Sequence, residues 1–301
     1  MRRLTVDRIG NFAGNAQPVT MLYERNLVVM KRRAWLPIPL IAAALFAAFQ
    51  YFSAEKVTNP ETGRAARVAL SSEQEQVLGL QSYQEVLAQS DVVERGTERE
   101  MVGRVAERLA RAVGDDAEGF DWQVSLVRSD QANAFCLPGG KIVVFTGILE
   151  HTRTEAALAA VMGHEMAHAI ARHGSQRMLR TSLAQTLMVG AQFSFSEMDY
   201  QQRQMVMAAL GAGAQYGFIL PFSREHENEA DAMGLMYMAR AGYDPREAIG
   251  FWERMEQASG GQPPEFMSTH PAHATRVQRL QEMMPRALAQ FEQRPRTRVA
   301  E

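Results

Sequence analysis

The sequence predicts an α+β fold that is predominantly helical, with a small β-sheet and a single N-terminal transmembrane helix. Three observations predict it. Apolar residues recur with helical spacing over 98–113, they alternate over 122–126, and residues 35–52 carry no charge. The composition, with 46% hydrophobic and 22% charged side chains and a net charge of −2, excludes a disordered chain and gives no basic excess for binding nucleic acid.

Residues 1–34 are predicted to be a basic cytoplasmic tail, and residues 35–52 a transmembrane anchor. As a helix, the run WLPIPLIAAALFAAFQYF would extend about 27 Å, which is close to the thickness of the hydrocarbon core. The cluster Lys31-Arg32-Arg33 places the N-terminus in the cytoplasm and the rest of the chain across the membrane. The alternatives are a cleaved signal peptide, although no cleavage site follows the run cleanly, and a buried helix of a soluble domain.

Residues 53–70 are predicted to be a linker, residues 71–293 one domain, and residues 294–301 a polar tail. Asparagine, proline and glycine residues at 59–63 are typical of a linker. Three strands are predicted within the domain, at 122–126, 134–137 and 142–145, and the turn Pro138-Gly139-Gly140 joins the last two.

Two capping boxes predict where helices of this domain begin. In each, a hydroxyl accepts a hydrogen bond from a backbone N–H three residues on, and the acidic residue there returns one. Ser72 and Glu75 form such a pair ahead of a helix that extends to about residue 89, and Thr152 and Glu155 form the second. The second helix leads directly into the first candidate metal ligands.

The sequence has seven histidines, all between residues 151 and 273, and a single cysteine, Cys136. One cysteine excludes an internal disulfide and a zinc site built from several thiolates, so a metal site here would use histidine and carboxylate. In the run His164-Glu165-Met166-Ala167-His168 the two histidines share one helical face, where both imidazoles reach one cation. A fortuitous pair on an exposed face is the alternative until a third ligand is found.

A third ligand is predicted on a helix that begins near Ser223. At about 100° per residue, Glu227 and Asp231 lie within about 40° of each other, on a face that also carries the small residue Gly234. This face can approach the histidine helix closely, so Glu227 is predicted to bind the metal and Asp231 to accept the outer N–H of His164. Three protein ligands leave one position of a tetrahedral zinc ion open, as catalytic sites require.

Four ordered motifs extend this pattern over about residues 70–285. They are NAFCLPGGKIVVFTG at 133–147, VMGHEMAHAIARH at 161–173, SREHENEAD at 223–231, and STHP at 268–271 with Arg276 beyond. In these motifs the chain resembles the HtpX, CaaX-protease and Oma-type zinc metallopeptidases, a branch of the gluzincins. It is most similar to the Oma-type and periplasmic members, and the resemblance implies a zincin-like metallopeptidase domain.

The resemblance also implies roles for individual residues. It implies that His164, His168 and Glu227 bind one Zn²⁺ ion, with Glu165 as the catalytic base that takes a proton from water and delivers it to the leaving amine. It implies that His270 donates a hydrogen bond to the oxyanion. A capping or core histidine is the alternative for this residue.

The expected function is a membrane-anchored, zinc-dependent endopeptidase that hydrolyses peptide bonds in the quality control of misfolded membrane or envelope proteins. Its partners would be polypeptide substrates and the membrane, with no nucleic acid. We expect the bacterial inner membrane, crossed once, with the catalytic domain facing the periplasm. Secretion to the periplasm and the mitochondrial inner membrane are the alternatives. The alternative function is an inactive zincin scaffold that acts as a chaperone or adaptor for such proteins.

The other polar residues near the motifs are predicted either to support the site indirectly or to be exposed to solvent. His173 lies about 140° from His168 around the helix, so it cannot bind the same ion, and an indirect or structural role is expected. Arg172 and Arg276 are expected either to position carboxylates or to lie on the surface. Solvated side chains are predicted for Glu225, Glu229, His151, His226 and His273.

Two segments keep alternatives open. Residues 205–220 are apolar except for Gln215, and a buried helix of the domain is favoured over a membrane-dipping segment because the stretch is short for a span. Residues 133–145 resemble the edge strand that holds a substrate backbone in zincins, and a plain core hairpin is the alternative.

Overall fold

The computed structural model describes residues 38–258, 264–270 and 275–293. The predicted basic tail, the first residues of the predicted anchor, His273 and the predicted tail at 294–301 lie outside these ranges. Helices dominate the described residues, and two small sheets accompany them. The predicted class, a predominantly helical α+β fold, is therefore confirmed.

The elements are named in chain order. The helices are α1 (Ile38–Ser53), α2 (Ser72–Ala88), α3 (Thr97–Val113), α4 (Thr146–Thr152), α5 (Glu155–Ile170), α6 (His173–Ser194), α7 (Tyr200–Ala214), α8 (Leu220–Arg240), α9 (Glu247–Ala258), α10 (Glu265–Thr269) and α11 (Arg276–Gln293). The strands are β1 (Glu55–Thr58), β2 (Ala65–Val68), β3 (Gln123–Val127), β4 (Ala134–Leu137) and β5 (Lys141–Phe145). A π-helical turn, Gln215–Ile219, joins α7 to α8 without a break.

Side-chain capping defines the starts of α2 and α5. The capping box of α2 consists of Ser71 and Gln74, one residue earlier than predicted. The hydroxyl of Thr154 caps α5 by accepting a hydrogen bond from the backbone N–H three residues on. The predicted cap, Thr152, instead ends α4, because Arg153 takes a left-handed conformation with φ of 60° and separates the two helices.

Residues 55–68, where the sequence predicted a linker, form the antiparallel hairpin β1–β2. The side-chain oxygen of Asn59 accepts hydrogen bonds from the backbone N–H groups of Glu61 and Thr62, and Gly63 has a φ of 70°. The same residue types mark linkers and close hairpins, so composition did not distinguish the two.

Helix α5 runs through the centre of the domain. Twelve of its sixteen residues are buried, and it packs against α8, α3, α9 and β4. Where α5 and α8 cross, a Cβ atom built on Gly234 would lie 2.8 Å from the backbone nitrogen of His164 and 3.0 Å from the backbone carbonyl carbon of Gly163. The two backbones touch at this point, which requires glycine.

The three-stranded sheet has the order β3-β5-β4, with β3 parallel and β4 antiparallel to β5. The predicted turn joins β4 to β5, and Gly139 and Gly140 have positive φ values of 75° and 89°. Strand β5 is central and mostly buried, whereas β4 lies at an edge and packs on α5. The sheet therefore presents an edge strand beside the central helix.

Helices α1, α6 and α7 form an apolar arm beside the core. Helix α1 lies antiparallel to α6. Near the start of α1, the Leu40 N–H donates to the Ser194 hydroxyl at 3.0 Å, and further along Ala47 packs on Leu179 and Leu183. The outer face of α1 is apolar and exposed, so contact with α6 covers only one side of this helix.

The prediction of a buried helix over 205–220 is wrong, because α7 contains no buried residue. An apolar sequence alone does not distinguish a core helix from one with an uncovered surface. Within the described ranges, Tyr200–Arg240 is the helical stretch that is long and apolar enough to cross a membrane by length and composition. Helix α1 is also apolar but has 16 residues.

Candidate metal centre

Three helices bring the predicted site residues together. Helix α5 carries His164, Glu165 and His168, α8 carries Glu227, and His270 follows the last residue of α10. One ring nitrogen or carboxylate oxygen from each of His164, His168, Glu227 and His270 lies within 4.8 Å of the others. This cluster could hold one metal ion.

The donor atoms of the cluster face one another. Nε2 of His164 lies 3.1 Å from Nε2 of His168 and 3.4 Å from Oε2 of Glu227. Nε2 of His168 lies 3.5 Å from Oε1 of Glu227, and Nδ1 of His270 lies 3.2 Å from both Glu227 oxygens. Imidazole nitrogens and carboxylate oxygens are the donors that catalytic zinc sites use, so the donor set fits zinc.

Burial opposes every charge in the cluster, and hydrogen bonding decides which groups are charged. Burial opposes the ionisation of Glu227, but hydrogen bonds from His164 and His270 lower its pKa well below the usual range. Burial also opposes a charged His164, yet its hydrogen bonds to Asp231 and Glu227 raise its pKa to about 9. Burial, assisted by the charge of His164, lowers the pKa of His168 well below its usual value. A metal cation would take the place of the proton on His164.

Glu165 lies beside the cluster with an unused acceptor. Its Oε1 atom is buried and accepts no hydrogen bond from the described residues, and it lies 3.4 Å from Nε2 of His270. Burial raises the pKa of Glu165, while the nearby His270 opposes the rise. A buried oxygen without a donor destabilises the fold, so this atom is available to a ligand or a proton.

Asp231 contacts His164 on the side away from the cluster, and Arg276 bridges the two sides, since it also lies 3.4 Å from Oε2 of Glu227. Oδ1 of Asp231 lies 3.0 Å from Nδ1 of His164 and accepts a hydrogen bond from Arg276 at 2.6 Å. Arg276 is 3% exposed, and its guanidinium lies 3.5 Å from the centre of the Trp252 ring. Arg172 pairs with a buried carboxylate of α2 at 2.8 Å. Both arginines therefore position carboxylates.

Two residues predicted to be solvated are buried. Glu229 is 6% exposed and binds His173 and Arg64, and His226 is 5% exposed and stacks on His173 with ring centres 3.9 Å apart. The prediction failed because α8 does not begin near Ser223. It continues from α7, and its face away from α5 packs against α6 and the hairpin. Glu225 is exposed, as predicted.

Sequence reasoning missed Arg64 and underrated Glu229. Arg64 belongs to no recognisable motif and lies 165 residues before Glu229 in the chain. One signal could have predicted that Glu229 is buried. Glu227 and Glu229 lie on opposite faces of one helix, and a helix that packs between two layers buries both faces.

A cleft of about 270 Å³ opens onto the cluster. Cys136 of β4, Pro138, Glu165, His168 and Thr269 are among the residues that line it. Burial raises the pKa of the Cys136 thiol, so the thiol is uncharged. A larger apolar groove, of about 810 Å³, lies among α1, α6 and α7, away from the donor atoms.

The helical fold and the donor cluster are typical of a metallopeptidase domain. The sequence profile of peptidase family M48 matches residues 97–284, a range that includes all of the cluster. The chain belongs to peptidase family M48. The resemblance predicted from the four motifs is thereby confirmed.

Curated relatives agree with this family. The chain is 37% identical over 188 residues to the mitochondrial metalloendopeptidase OMA1 of Schizosaccharomyces pombe, covering 62% of this chain and 53% of that protein. It is 33% identical over 274 residues to the mitochondrial metalloendopeptidase OMA1 of Danio rerio, covering 85% and 56%. It is 29% identical over 226 residues to the beta-barrel assembly-enhancing protease of Escherichia coli, covering 73% and 46%. The chain thus spans about half the length of these relatives.

Proposed function

We propose that this chain is a zinc endopeptidase that acts at a membrane. The observation that carries the proposal is the cluster of three histidines and Glu227, with the unpartnered oxygen of Glu165 buried beside it. Leaving such an oxygen without a donor costs about 1–3 kcal/mol. An inactive scaffold has no use for this arrangement, whereas a peptidase needs a proton acceptor there.

In this proposal His164, His168 and Glu227 hold the zinc ion, because their donor atoms lie 3.1 to 3.5 Å apart. A bound zinc ion polarises the substrate carbonyl and makes water more acidic. Asp231 accepts the Nδ1–H of His164 at 3.0 Å, which keeps Nε2 of that ring directed at the cluster. Arg276 holds Asp231 in turn.

Glu165 and His270 are the groups that act on the substrate. Oε1 of Glu165 takes a proton from the attacking water and later delivers it to the leaving amine. Nε2 of His270 lies 3.4 Å from this oxygen, so the imidazole borders the reacting centre. From that position His270 donates a hydrogen bond to the oxyanion that forms on the substrate carbonyl.

Strand β4 is the proposed binding edge for the substrate. In the sheet order β3-β5-β4 it pairs with β5 on one side, and its Cys136 lines the same cleft as Glu165. Pairing between a peptide backbone and an edge strand gives affinity with little sequence preference. The substrates in this proposal are therefore extended segments, as misfolded polypeptides present.

The apolar arm supports the membrane part of the proposal. Leu45, Phe49, Phe193 and Met205 point outward from the arm, as does Tyr216 in the π-helical turn that follows it, and these five side chains are 66–71% exposed. Soluble proteins rarely expose a contiguous apolar surface of this kind. We place the chain in the bacterial inner membrane with the catalytic domain in the periplasm, and the mitochondrial inner membrane is the alternative.

The physiological role is proposed as quality control of misfolded membrane or envelope proteins. The support is the name of a relative, the beta-barrel assembly-enhancing protease. An inactive scaffold that acts as a chaperone or adaptor is the alternative function.

Zinc stoichiometry and casein cleavage, measured for the wild type and Glu165→Gln, test the activity. We expect about one zinc ion per chain in both, with cleavage by the variant reduced roughly 10²–10⁴-fold. Glu150→Gln, which changes an exposed glutamate on α4, is the matched control and should cleave like the wild type. Bound zinc without Glu165-dependent cleavage would support the scaffold, and absence of zinc would contradict the site.

Carbonate extraction and protease protection test the membrane placement. The full chain should stay in the membrane pellet, and a C-terminal tag should resist protease added from the cytoplasmic side. Release by carbonate, or cleavage of the tag from the cytoplasmic side, would contradict this placement.

A further inference from the structure

We propose that His173 is a positioning residue for the metal site: it orients His168, and the β1–β2 hairpin holds it through Arg64 and Glu229. The inference rests on the proposed zinc site. It adds to that site a segment, residues 55–68, that lies outside the 97–284 range matched by the family profile.

His173 lies between a proposed metal ligand and a carboxylate. Its Nε2 is 3.0 Å from Oε2 of Glu229, and its Nδ1 is 2.9 Å from Nδ1 of His168. Because a carboxylate accepts, Nε2 of His173 carries the proton, and Nδ1 of the neutral ring is left as an acceptor. Nδ1 of His168 therefore donates to it, which leaves Nε2 of His168 with its lone pair directed at the cluster.

Charge balance supports the neutral ring. Oε2 of Glu229 accepts a hydrogen bond from Arg64 at 2.7 Å, and Oε1 accepts one from Thr62 at 2.5 Å. The arginine already balances the charge of this carboxylate, so no proton on Nδ1 of His173 is required. The hairpin thus keeps Glu229 charged and fixes the orientation of its carboxylate. Glu229 in turn determines which nitrogen of His173 carries the proton.

The ring of His173 is also held on one face. The His226 ring stacks on it with an interplanar angle of 13° and ring centres 3.9 Å apart. Oε1 of Gln176 accepts hydrogen bonds from Nε2 of His226 at 3.1 Å and from Arg64 at 3.0 Å. His173, Gln176 and His226 are all at most 5% exposed, so the orientation of His173 is restricted on its face and at both ring nitrogens.

This arrangement predicts that His168 requires a hydrogen-bond acceptor at the position of Nδ1 of His173. In His173→Asn the amide oxygen can occupy nearly the same place as Nδ1, although the contact with Glu229 is lost. In His173→Phe the ring size and the stacking on His226 are kept, but the acceptor is lost. If His173 serves packing alone, the phenylalanine variant should bind zinc more tightly than the asparagine variant. If His173 positions His168, the asparagine variant should bind zinc more tightly.

The experiment measures zinc affinity of the full chain by competition with a chromogenic chelator, and the visible absorption of the Co²⁺-substituted protein. We expect His173→Phe to lose about 10–100-fold in zinc affinity with an altered Co²⁺ spectrum, and His173→Asn to retain affinity within about threefold. Tyr83→Phe, which removes a buried hydrogen bond to Ser125, is the control for lost stability and should leave affinity unchanged.

The hairpin is tested separately, so the outcome does not depend on how the His173 variants fold. Arg64→Gln should lower zinc affinity and change the Co²⁺ spectrum. Arg67→Gln, on the same hairpin but bonded to the backbone oxygens of Phe52 and Ala54, should change neither. Equal effects of the two arginine variants, or a phenylalanine variant that binds zinc as well as the asparagine variant, would overturn the inference. A wild type that binds no zinc would instead overturn the proposed function.

Discussion

Replacing Gly234 with alanine tests how closely α5 and α8 must approach to assemble the metal centre. Gly234 lies against the backbone of His164, and Glu227 lies two turns earlier on the same helix. A Cβ atom added at Gly234 would lie 2.8 Å from the His164 nitrogen and 2.9 Å from its Cα atom. Both neighbours are backbone atoms, so no side chain can rotate away.

The structure sets the size of the effect. Ordinary contact begins at 3.4 Å, so the helices must separate by about 0.6 Å at this crossing. Overpacking of this kind costs about 1–3 kcal/mol, and the better helix propensity of alanine offsets about 1 kcal/mol of it. Because the clash is with backbone, we expect the overpacking cost to lie at the upper end of its range. After the gain from helix propensity is subtracted, the net loss in the free energy of unfolding is about 2 kcal/mol. The separation also exceeds the tolerance of about 0.2 Å in metal–ligand distances, so zinc affinity should fall at least about tenfold.

Urea denaturation and chelator competition measure the two effects. Gly103→Ala is the matched control, because its Cβ would meet only the flexible end of Arg99, at 3.0 Å. This variant should be as stable as the wild type or more so, with unchanged zinc affinity. If Gly234→Ala matched Gly103→Ala in both measurements, the close approach of α5 and α8 would not be a requirement of the site.

Three further predictions concern the metal. Zinc at a concentration of about a hundredfold its Kd should raise the free energy of unfolding by about 2.7 kcal/mol, so adding EDTA should lower Tm. In Glu227→Gln, EDTA should lower Tm much less. Because hydrogen bonds raise the pKa of His164 to about 9, zinc must displace a proton below that pH, so its Kd should fall about tenfold per pH unit from pH 6 to 8; a Kd independent of pH would refute this. Asp231→Asn, which weakens the partner of His164 at 3.0 Å, should reduce zinc affinity about 10–100-fold, and an unchanged Kd would show that this carboxylate does not support the ligand.

Much of the candidate site was predictable because its geometry is local. His164, Glu165 and His168 lie within five residues of one helix, and the helical repeat fixes their relative directions. Glu227 and Asp231 follow from the same repeat on α8. The structure brings His164, His168 and Glu227 into one cluster, with Glu165 beside it and Asp231 behind His164.

Other parts of the chain were not predictable from local patterns. The buried state of Glu229 and His226 depends on α6 and the hairpin covering the second face of α8. The exposure of α7 arises because contact with α6 leaves every residue of α7 at least partly exposed, although its apolar sequence resembles that of a core helix. Burial is a property of the neighbours of a helix as well as of its own sequence.

By itself the sequence determined the helical class of the domain, the histidine pair on α5 and the carboxylates on α8, since these depend on residue type and helical spacing. The tertiary structure alone decided that Arg64 reaches Glu229 across 165 residues and that His173 contacts His168. It also decided that Gly163 is the residue of α5 that faces Gly234, where the sequence had predicted a close approach. The physical reason is that contacts between distant segments depend on how helices and hairpins pack, which no periodic pattern along the chain specifies.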